Sequence, residues 1–273
     1  MLLLDQHPLN KSIMIALLGR PNVGKSTLIN ALLGFDLTIV SHKPQTTRNQ
    51  FHCAFTVDHT EVVLVDTPGI HRSNQELNKR MNGQAEHGSD GADINFLLFD
   101  LTSNLDEDIK ELAHTFTKEL AQSWVLFTKN DLIEVSEEQL KTAFTKIQKV
   151  FPSAVRYFDI SAKEENNIHL LTGAICDAAK PGPHLYPAGH VSNKSERFFV
   201  SEYIREQAFN ILRDELPYEC AVTVEEFNDF RRKDKPLDPS KTAVKISATI
   251  MVNRPSQRAI VIAARASIIK EIG

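Results

Sequence analysis

The stretch that decides the fold is Gly19-Arg20-Pro21-Asn22-Val23-Gly24-Lys25-Ser26-Thr27. It contains the pattern G-x-x-x-x-G-K-[ST], in which backbone N–H groups of a loop and of a helix N-terminus surround a phosphate group. The apolar run 13–18 before it predicts a buried strand, and residues 27–33 predict a helix. Lys25 is expected to reach the outer phosphates, and the Ser26 hydroxyl is expected to bind Mg²⁺. The sequence therefore predicts a nucleoside-phosphate site with this stretch as its first segment.

Length and composition place the chain among ordinary globular proteins. Its 273 residues, 42% of them hydrophobic, are enough for one large domain or two smaller ones. The net charge of −4 gives no general attraction to nucleic acid, so any such binding needs a local basic patch. Neither its cysteines nor its histidines have metal-ligand spacing, so no metal site is assigned to them. The three scattered cysteines predict free thiols in a reducing compartment. The apolar start, residues 1–4, is too short for a signal peptide, and we expect a cytoplasmic protein.

A second segment of the predicted site is Asp66-Thr67-Pro68-Gly69, which follows the apolar run 61–65. An acidic side chain at the end of that strand can hold a metal ion through water. The Gly69 N–H can approach a γ-phosphate closely because no Cβ intervenes. Many ordinary turns have this sequence, so the segment gains its meaning from its place after a strand.

Two further segments indicate which base is bound. Thr128-Lys129-Asn130-Asp131 follows the strand-like run 123–127, and Ser161-Ala162-Lys163 follows 157–160. The Asp131 carboxylate can accept hydrogen bonds from the N1–H and the exocyclic amine of guanine, a donor pair that adenine lacks. The loop at 161–163 is suited to present a backbone N–H to the guanine oxygen. Both segments favour a guanine nucleotide and argue against a phosphate-loop kinase or ATPase.

In this order, the four segments resemble those of the translation-factor-related GTPases. Two more stretches are similar to the Era family of bacterial ribosome-assembly GTPases in particular. Lys43-Pro44-Gln45-Thr46-Thr47-Arg48 resembles the first switch of that family, and residues 196–206 with 215–218 resemble its second domain. The resemblance extends from about residue 13 to residue 273 and implies hydrolysis of GTP to GDP and phosphate. The implied metal ligands are Ser26, Thr47 and Asp66, and the implied catalytic residues are Lys25, Thr47, Gly69 and Asn22.

Three positions depart from the common GTPase pattern. Thr128 stands where an Asn usually ties the neighbouring loops together, so guanine selectivity should persist with some loss of affinity. Ile70 stands where Ras-like enzymes have a water-orienting Gln, and an aliphatic side chain predicts slow unaided hydrolysis. Asn22 occupies the place at which related GTPases hold a potassium ion, so K⁺ is a candidate cofactor beside Mg²⁺. A simple loop-forming role for Asn22 is the alternative.

The predicted fold class is α/β, with a second domain of a different kind. Residues 1–180 are expected to form a P-loop GTPase domain with a mostly parallel, doubly wound sheet. Residues 181–195 begin with a stretch rich in proline and glycine and are predicted to be a linker. Residues 196–273 read helix, strand, strand, helix, helix, which resembles a smaller α+β type II KH domain, an RNA-binding module. The two GTPase switches, 37–49 and 66–89, are expected to order when the γ-phosphate is present.

The KH-like domain departs from its family at the G-x-x-G turn that clamps the nucleic-acid backbone. This chain has Ala263-Ala264-Arg265-Ala266 there, and a methyl group disfavours both a positive φ and close approach of a phosphate. We therefore expect one continuous helix over 263–272, with Arg265 and Lys270 as the remaining candidates for phosphate contacts. The family's closing strand does not follow, so the domain is expected to be incomplete at its C-terminus, by truncation or by abridgement.

The resemblance implies a role in assembly of the small ribosomal subunit through binding of its ribosomal RNA. The alternative is a diverged guanine-nucleotide switch that has lost RNA binding and recruits a protein partner. The basic cluster at 231–235 suits RNA or a membrane surface, but interleaved acidic residues favour a solvated loop. Peripheral association with the inner membrane and a monomeric state are further expectations.

Overall fold

A computed structural model of the chain describes residues 7–40, 50–70, 76–116, 118–213, 216–230, 244–263 and 266–273, with the backbone alone at 76–80. Contacts divide the chain into two compact units, Met1–Asn193 and Lys194–Gly273. Several features predicted from sequence lie outside the described residues: 41–49 of the first switch with Thr47, 71–75 of the second switch, Arg265 and the basic cluster at 231–235. In the part of the chain that is described, no helix is both long enough and apolar enough to cross a bilayer.

The first unit is built on a mostly parallel sheet, as predicted. Its strands are β1 (Lys11–Leu18), β2 (Phe51–Val57), β3 (Thr60–Asp66), β4 (Ile94–Asp100), β5 (Ser123–Thr128), β6 (Ala154–Asp159) and β7 (Lys180–Pro181). The order across the sheet is β2-β3-β1-β4-β5-β6, and β7 pairs with β1. The β3-β1-β4-β5-β6 pairs are parallel, whereas β2 and β7 run antiparallel to their partners. Strands β3 and β5 are buried along their whole length, which explains their continuous apolar runs.

Helices connect the parallel strands. They are α1 (Lys25–Leu33), α2 (Glu76–Asp90), α3 (Leu105–Thr115), α4 (Glu137–Gln148) and α5 (Ile168–Ala178). Local sequence sets several of their ends. The Asn104 side chain accepts hydrogen bonds from the first N–H groups of α3, Ser136 and Gln139 form a capping box on α4, and Gly34 ends α1 in the left-handed conformation.

The segment predicted as a linker lies mostly within the first unit. The Glu61 carboxylate, on a residue 3% exposed, accepts hydrogen bonds from the N–H groups of Leu185 (2.5 Å) and Tyr186 (3.0 Å). Farther along, the Val191 carbonyl accepts from the Ala54 N–H at 3.0 Å, on the edge strand β2. A buried carboxylate needs donors and an edge strand has backbone groups to satisfy, so a chain without regular structure is held here. We call residues 184–193 the edge strap.

The second unit contains the predicted order of helix, strand, strand, helix, helix, with one short helix added. Its elements are α6 (Glu196–Ile211), α7 (Leu216–Glu219), β8 (Ala221–Asp229), β9 (Val244–Met251), α8 (Pro255–Ile262) and α9 (Ser267–Ile272). β8 and β9 form an antiparallel pair. The buried core comes from the four helices and from residues next to them: Ala208, Leu212, Leu216, Cys220, Val261 and Ile272.

The prediction of one continuous helix over 263–272 is wrong. α8 ends at Ile262, and Ala263 has φ 54° and ψ −178°, while Ala266 has φ 57° and ψ 34° before α9 begins. Both alanines thus adopt the positive φ that a methyl group disfavours. A turn therefore separates the two helices although neither glycine of the expected motif is present. Val261 and Ile272, on the two sides of this turn, are both buried in the core of the second unit.

Candidate nucleotide-binding site

The phosphate loop connects the end of β1 to the start of α1. Gly24 precedes α1 with φ 102°, and Asn22 has φ 61°, so the loop turns through two left-handed residues. A Cβ on Gly19 would lie 2.9 Å from Val23 Cγ1 and 3.0 Å from the Leu98 carbonyl oxygen. Only glycine therefore fits where the loop leaves the sheet. The loop ends at the N-terminus of α1, where helix N–H groups favour a bound anion.

Lys25 is the cation of this loop, and the backbone orients it. Its Nζ donates to the carbonyl oxygens of Gly19 and Arg20, both at 3.0 Å. Burial lowers the pKa of Lys25 to about 8, and the negative charge of Asp66 acts in the opposite direction. The ammonium group is thus placed between two carbonyls and the acidic end of β3.

The segment after β3 packs directly against the phosphate loop. A Cβ on Gly69 would lie 2.8 Å from the Cα and N of Pro21, so that only glycine allows this approach. The Ile70 N–H donates to the Gly19 carbonyl at 3.1 Å. The Ile70 side chain is 1% exposed and belongs to the core of the unit. Ile70 therefore points into the protein, where it cannot orient a water molecule by hydrogen bonding.

Two oxygen ligands suited to Mg²⁺ occupy the predicted positions. Ser26 lies in the first turn of α1, and the fully buried Asp66 ends β3. Hydroxyl and carboxylate oxygens are the donors that this ion prefers, usually with several waters retained. The residues present therefore fit a magnesium ion.

The phosphate loop is also held from α3, by residues that the motif analysis missed. Arg20 Nη1 lies 2.6 Å from Asp108 Oδ1, and Arg20 Nε lies 2.8 Å from Glu111 Oε2. The Ser103 hydroxyl donates to the other oxygen of the Asp108 carboxylate. In the sequence, the only signal for this contact is a pair of acids three residues apart, on one face of a helix.

The segment after β5 is tied to the phosphate loop as well. Thr128 Oγ1 donates to the Val23 carbonyl at 2.8 Å, so a threonine makes the connection between loops that was expected of the usual Asn. Lys129 has φ 62°, and its Nζ lies 2.6 Å from Asp100 Oδ2. Asn130 Nδ2 donates to Asp159 Oδ2 at 3.2 Å, which connects this segment to β6. Asp131 follows directly, at the carboxyl end of β5.

The segment after β6 forms a compact turn. The Ser161 hydroxyl oxygen accepts from the Glu164 N–H at 3.1 Å, and the Ser161 N–H donates to the Asn166 carbonyl at 3.2 Å. Asn167 Nδ2 donates to the Asp159 carbonyl at 2.8 Å. The backbone of 161–163 is thus shaped by local hydrogen bonds next to the segment that carries Asp131. Since β1, β3, β5 and β6 are parallel members of one sheet, all four predicted segments meet at its carboxyl edge.

Known proteins similar to this chain are GTPases, and the similarity to several of them extends over both units. The sequence model of a family described as 50S ribosome-binding GTPase matches residues 14–129. The chain is 35% identical over 263 residues to the GTPase Era of Carboxydothermus hydrogenoformans, covering 96% of this chain and 85% of the relative. It is 36% identical over 265 residues to the GTPase Era of Nitratidesulfovibrio vulgaris, covering 95% of this chain and 83% of the relative.

Two solved structures are similar along nearly the whole chain. One is Era in complex with MgGDPNP and nucleotides 1506–1542 of 16S ribosomal RNA, with TM-score 0.85 and 27% identity over 97% of this chain and 86% of the other. The second is a variant of Aquifex aeolicus Era bound to GDP·AlF₄⁻, with TM-score 0.83 and 27% identity over 96% of this chain and 86% of the other. The match extends through both units.

Proposed function

The chain belongs to the Era family of GTPases, and we propose that it couples hydrolysis of GTP to assembly of the small ribosomal subunit by binding ribosomal RNA. The hydrolysis of GTP follows from family membership. The observation that carries the RNA proposal is the turn between α8 and α9. Alanines take a positive φ only where the surrounding structure imposes it, and both Ala263 and Ala266 do so. The two end positions of the expected G-x-x-G segment thus have the positive φ that glycine takes without strain, although neither glycine is present.

For the nucleotide, we propose one role for each predicted segment. Residues 19–27 would surround the phosphates, with Lys25 and the Gly69 N–H directed at the γ-phosphoryl group. Ser26 and Thr47 would hold Mg²⁺ directly and Asp66 through water. The bound ion would neutralise charge on the β- and γ-phosphates. Asp131 would read guanine, supported by the 161–163 loop.

We further propose that K⁺ contributes to hydrolysis beside Asn22. Support comes from the left-handed Asn22 in the phosphate loop and from the buried Ile70, which leaves that position without a water-orienting group. Potassium should accelerate steady-state hydrolysis relative to sodium, and Asn22→Ala should abolish the difference while GDP still binds. Equal rates in the two salts at saturating GTP and Mg²⁺ would contradict the role of the ion.

Charge distribution supports RNA binding by the second unit. Residues 194–273 contain 14 Lys and Arg against 12 Asp and Glu, a net charge of +2, whereas residues 1–193 contain 17 against 23. Arg258 on α8 and Lys270 on α9 are exposed on the two sides of the α8–α9 turn, and Arg254 is exposed at the start of α8. Contacts of these side chains with phosphates would make binding strongly dependent on salt.

A titration with labelled single-stranded RNA tests this function. The RNA corresponds to the segment named for the related complex, and the protein carries either a GTP analogue or GDP. Wild type should bind weakly and lose affinity as salt rises, because the two alanine methyl groups hinder a phosphate at the turn. The double change Ala263→Gly and Ala266→Gly should tighten binding, and Arg258→Ala should weaken it.

An RNA of scrambled sequence and the variant Arg156→Ala, in the first unit, serve as controls. If neither wild type nor the glycine variant binds RNA better than the scrambled control, the RNA proposal is wrong. The alternative of a switch that recruits a protein partner would then take its place. Peripheral membrane association and a monomeric state stay predictions of the family resemblance.

A further inference from the structure

Helix α3 holds the phosphate loop through one partly buried ion-pair network. Arg20, the second residue of the loop, binds Asp108, which lies 88 residues later in the sequence. The distance between Arg20 Nη1 and Asp108 Oδ1 is 2.6 Å. Its Nε is 2.8 Å from Glu111 Oε2. The side chains of Asp108 and Glu111 are 4% and 15% exposed, and that of Arg20 is 30% exposed. One guanidinium thus bridges two carboxylates on the same face of a helix.

A network of this kind is a poor way to gain stability alone. Removing three charged groups from water costs free energy that their mutual attraction only partly returns, and apolar replacements of similar shape often stabilise a protein more. What the planar guanidinium adds is geometry, because two carboxylates contact it at defined positions. The network is therefore suited to setting the position of the loop.

The loop residues positioned in this way contact Lys25 and the segment that contains Gly69. The carbonyl oxygens of Gly19 and Arg20 accept the two hydrogen bonds from Lys25 Nζ. The Gly19 carbonyl also accepts from the Ile70 N–H at 3.1 Å. The next residue, Pro21, lies against Gly69, where a Cβ would come within 2.8 Å. Any displacement of Arg20 toward or away from α3 would move the acceptors of Lys25 and the contact with Gly69 together.

We infer that Asp108 and Glu111 are positioning residues for GTP hydrolysis, which act through Arg20 on the Lys25 ammonium and on the Gly69 segment. Neither carboxylate needs to touch the nucleotide. Their effect belongs to the transition state, because small errors in the placement of a charge-stabilising group reduce the rate far more than they reduce ground-state binding.

The test is single-turnover hydrolysis by the full chain with GTP and Mg²⁺. Asp108→Asn and Glu111→Gln remove charge while nearly keeping shape, and each should lower the maximal rate by roughly tenfold. The half-saturating protein concentration should change by less than about threefold, the pattern of an interaction made only in the transition state. Arg20→Ala should lose a similar factor, and adding Asp108→Ala to it should cost little more, because both changes break the same connection.

Asp106→Asn is the matched control, since Asp106 lies on the same helix and pairs at 2.5 Å with Lys146, away from the phosphate loop. Thermal unfolding of every variant gives the native fraction at the assay temperature. A rate for Asp108→Asn and Glu111→Gln within about twofold of the control would overturn the inference. So would a loss that disappears after correction for the native fraction, or strictly additive losses in the Arg20 and Asp108 pair.

Discussion

Replacing Ala263 by glycine should stabilise the second unit, the reverse of what a glycine does in a helix. Ala263 lies at φ 54° and ψ −178°, close to a region that only glycine populates freely, and such a residue costs about 1–3 kcal/mol. The glycine variant loses about 0.4–1 kcal/mol of this gain, because glycine has more conformational freedom than alanine in the unfolded chain. The net gain should be about 1–2 kcal/mol. Ala266, at φ 57° and ψ 34°, has the milder left-handed conformation, and its replacement should gain about 0.5 kcal/mol.

Scanning calorimetry in the presence of GDP and Mg²⁺ can measure this effect. The ligand stabilises the first unit, so the transition of the second unit is separated at lower temperature. For a unit of this size, each 1 kcal/mol should shift the midpoint by roughly 4–8 °C. Ala259→Gly, within α8, is the matched control and should destabilise by about 1 kcal/mol. In a continuous helix all three glycines would destabilise alike. A lower midpoint for Ala263→Gly would therefore refute the turn and the reasoning built on it.

Three further predictions concern the nucleotide site. Asp131→Asn should weaken GTP binding by ~1–3 kcal/mol, because charge-assisted hydrogen bonds are lost, and should improve binding of xanthosine triphosphate. Calorimetric titrations would measure both affinities. Equal weakening for the two nucleotides would contradict recognition of guanine by Asp131. Because burial lowers the pKa of Lys25 to about 8 and bound phosphates would raise it again, GDP binding above pH 8 should take up a proton. The affinity for a fluorescent GDP analogue should thus fall by up to about tenfold per pH unit above pH 8 and stay constant below pH 8. Lys25→Ala should bind the analogue weakly, with an affinity that does not change with pH in this range. A wild-type affinity that stays constant above pH 8 would contradict the lowered pKa of Lys25. Thr128→Val leaves the buried Val23 carbonyl without its donor and should cost about 1–3 kcal/mol of stability in urea unfolding, whereas Thr128→Ser should cost less.

The nucleotide site was readable from sequence because its chemistry lies in short contiguous segments. Each segment follows an apolar strand, and a parallel sheet brings strand ends together whatever the loops between them contain. Only part of the role of Ile70 could be predicted from the sequence. Its aliphatic nature was evident, but its burial in the core depends on packing against residues distant in sequence.

The features that could not be predicted depend on contacts between residues distant in sequence, or lie where the usual turn-forming residues are absent. The pairing of Arg20 with Asp108 joins positions 88 residues apart, and two acids three residues apart on a helix do not indicate which cation they bind. The turn at Ala263 and Ala266 carries no turn-forming residue, so helix propensity predicted the wrong conformation and the common core of α8 and α9 overrode it. The edge strap has no periodicity at all, because it is held by the Glu61 carboxylate and by the edge of β2.

The edge strap also determines where this chain can be divided. A fragment that ends at residue 180, the predicted boundary of the GTPase domain, would remove both N–H donors of the Glu61 carboxylate. It would also uncover β2, whose free backbone groups could then recruit a strand from another molecule. The smallest self-sufficient GTPase fragment is therefore expected to extend to Asn193, the last residue of the first unit.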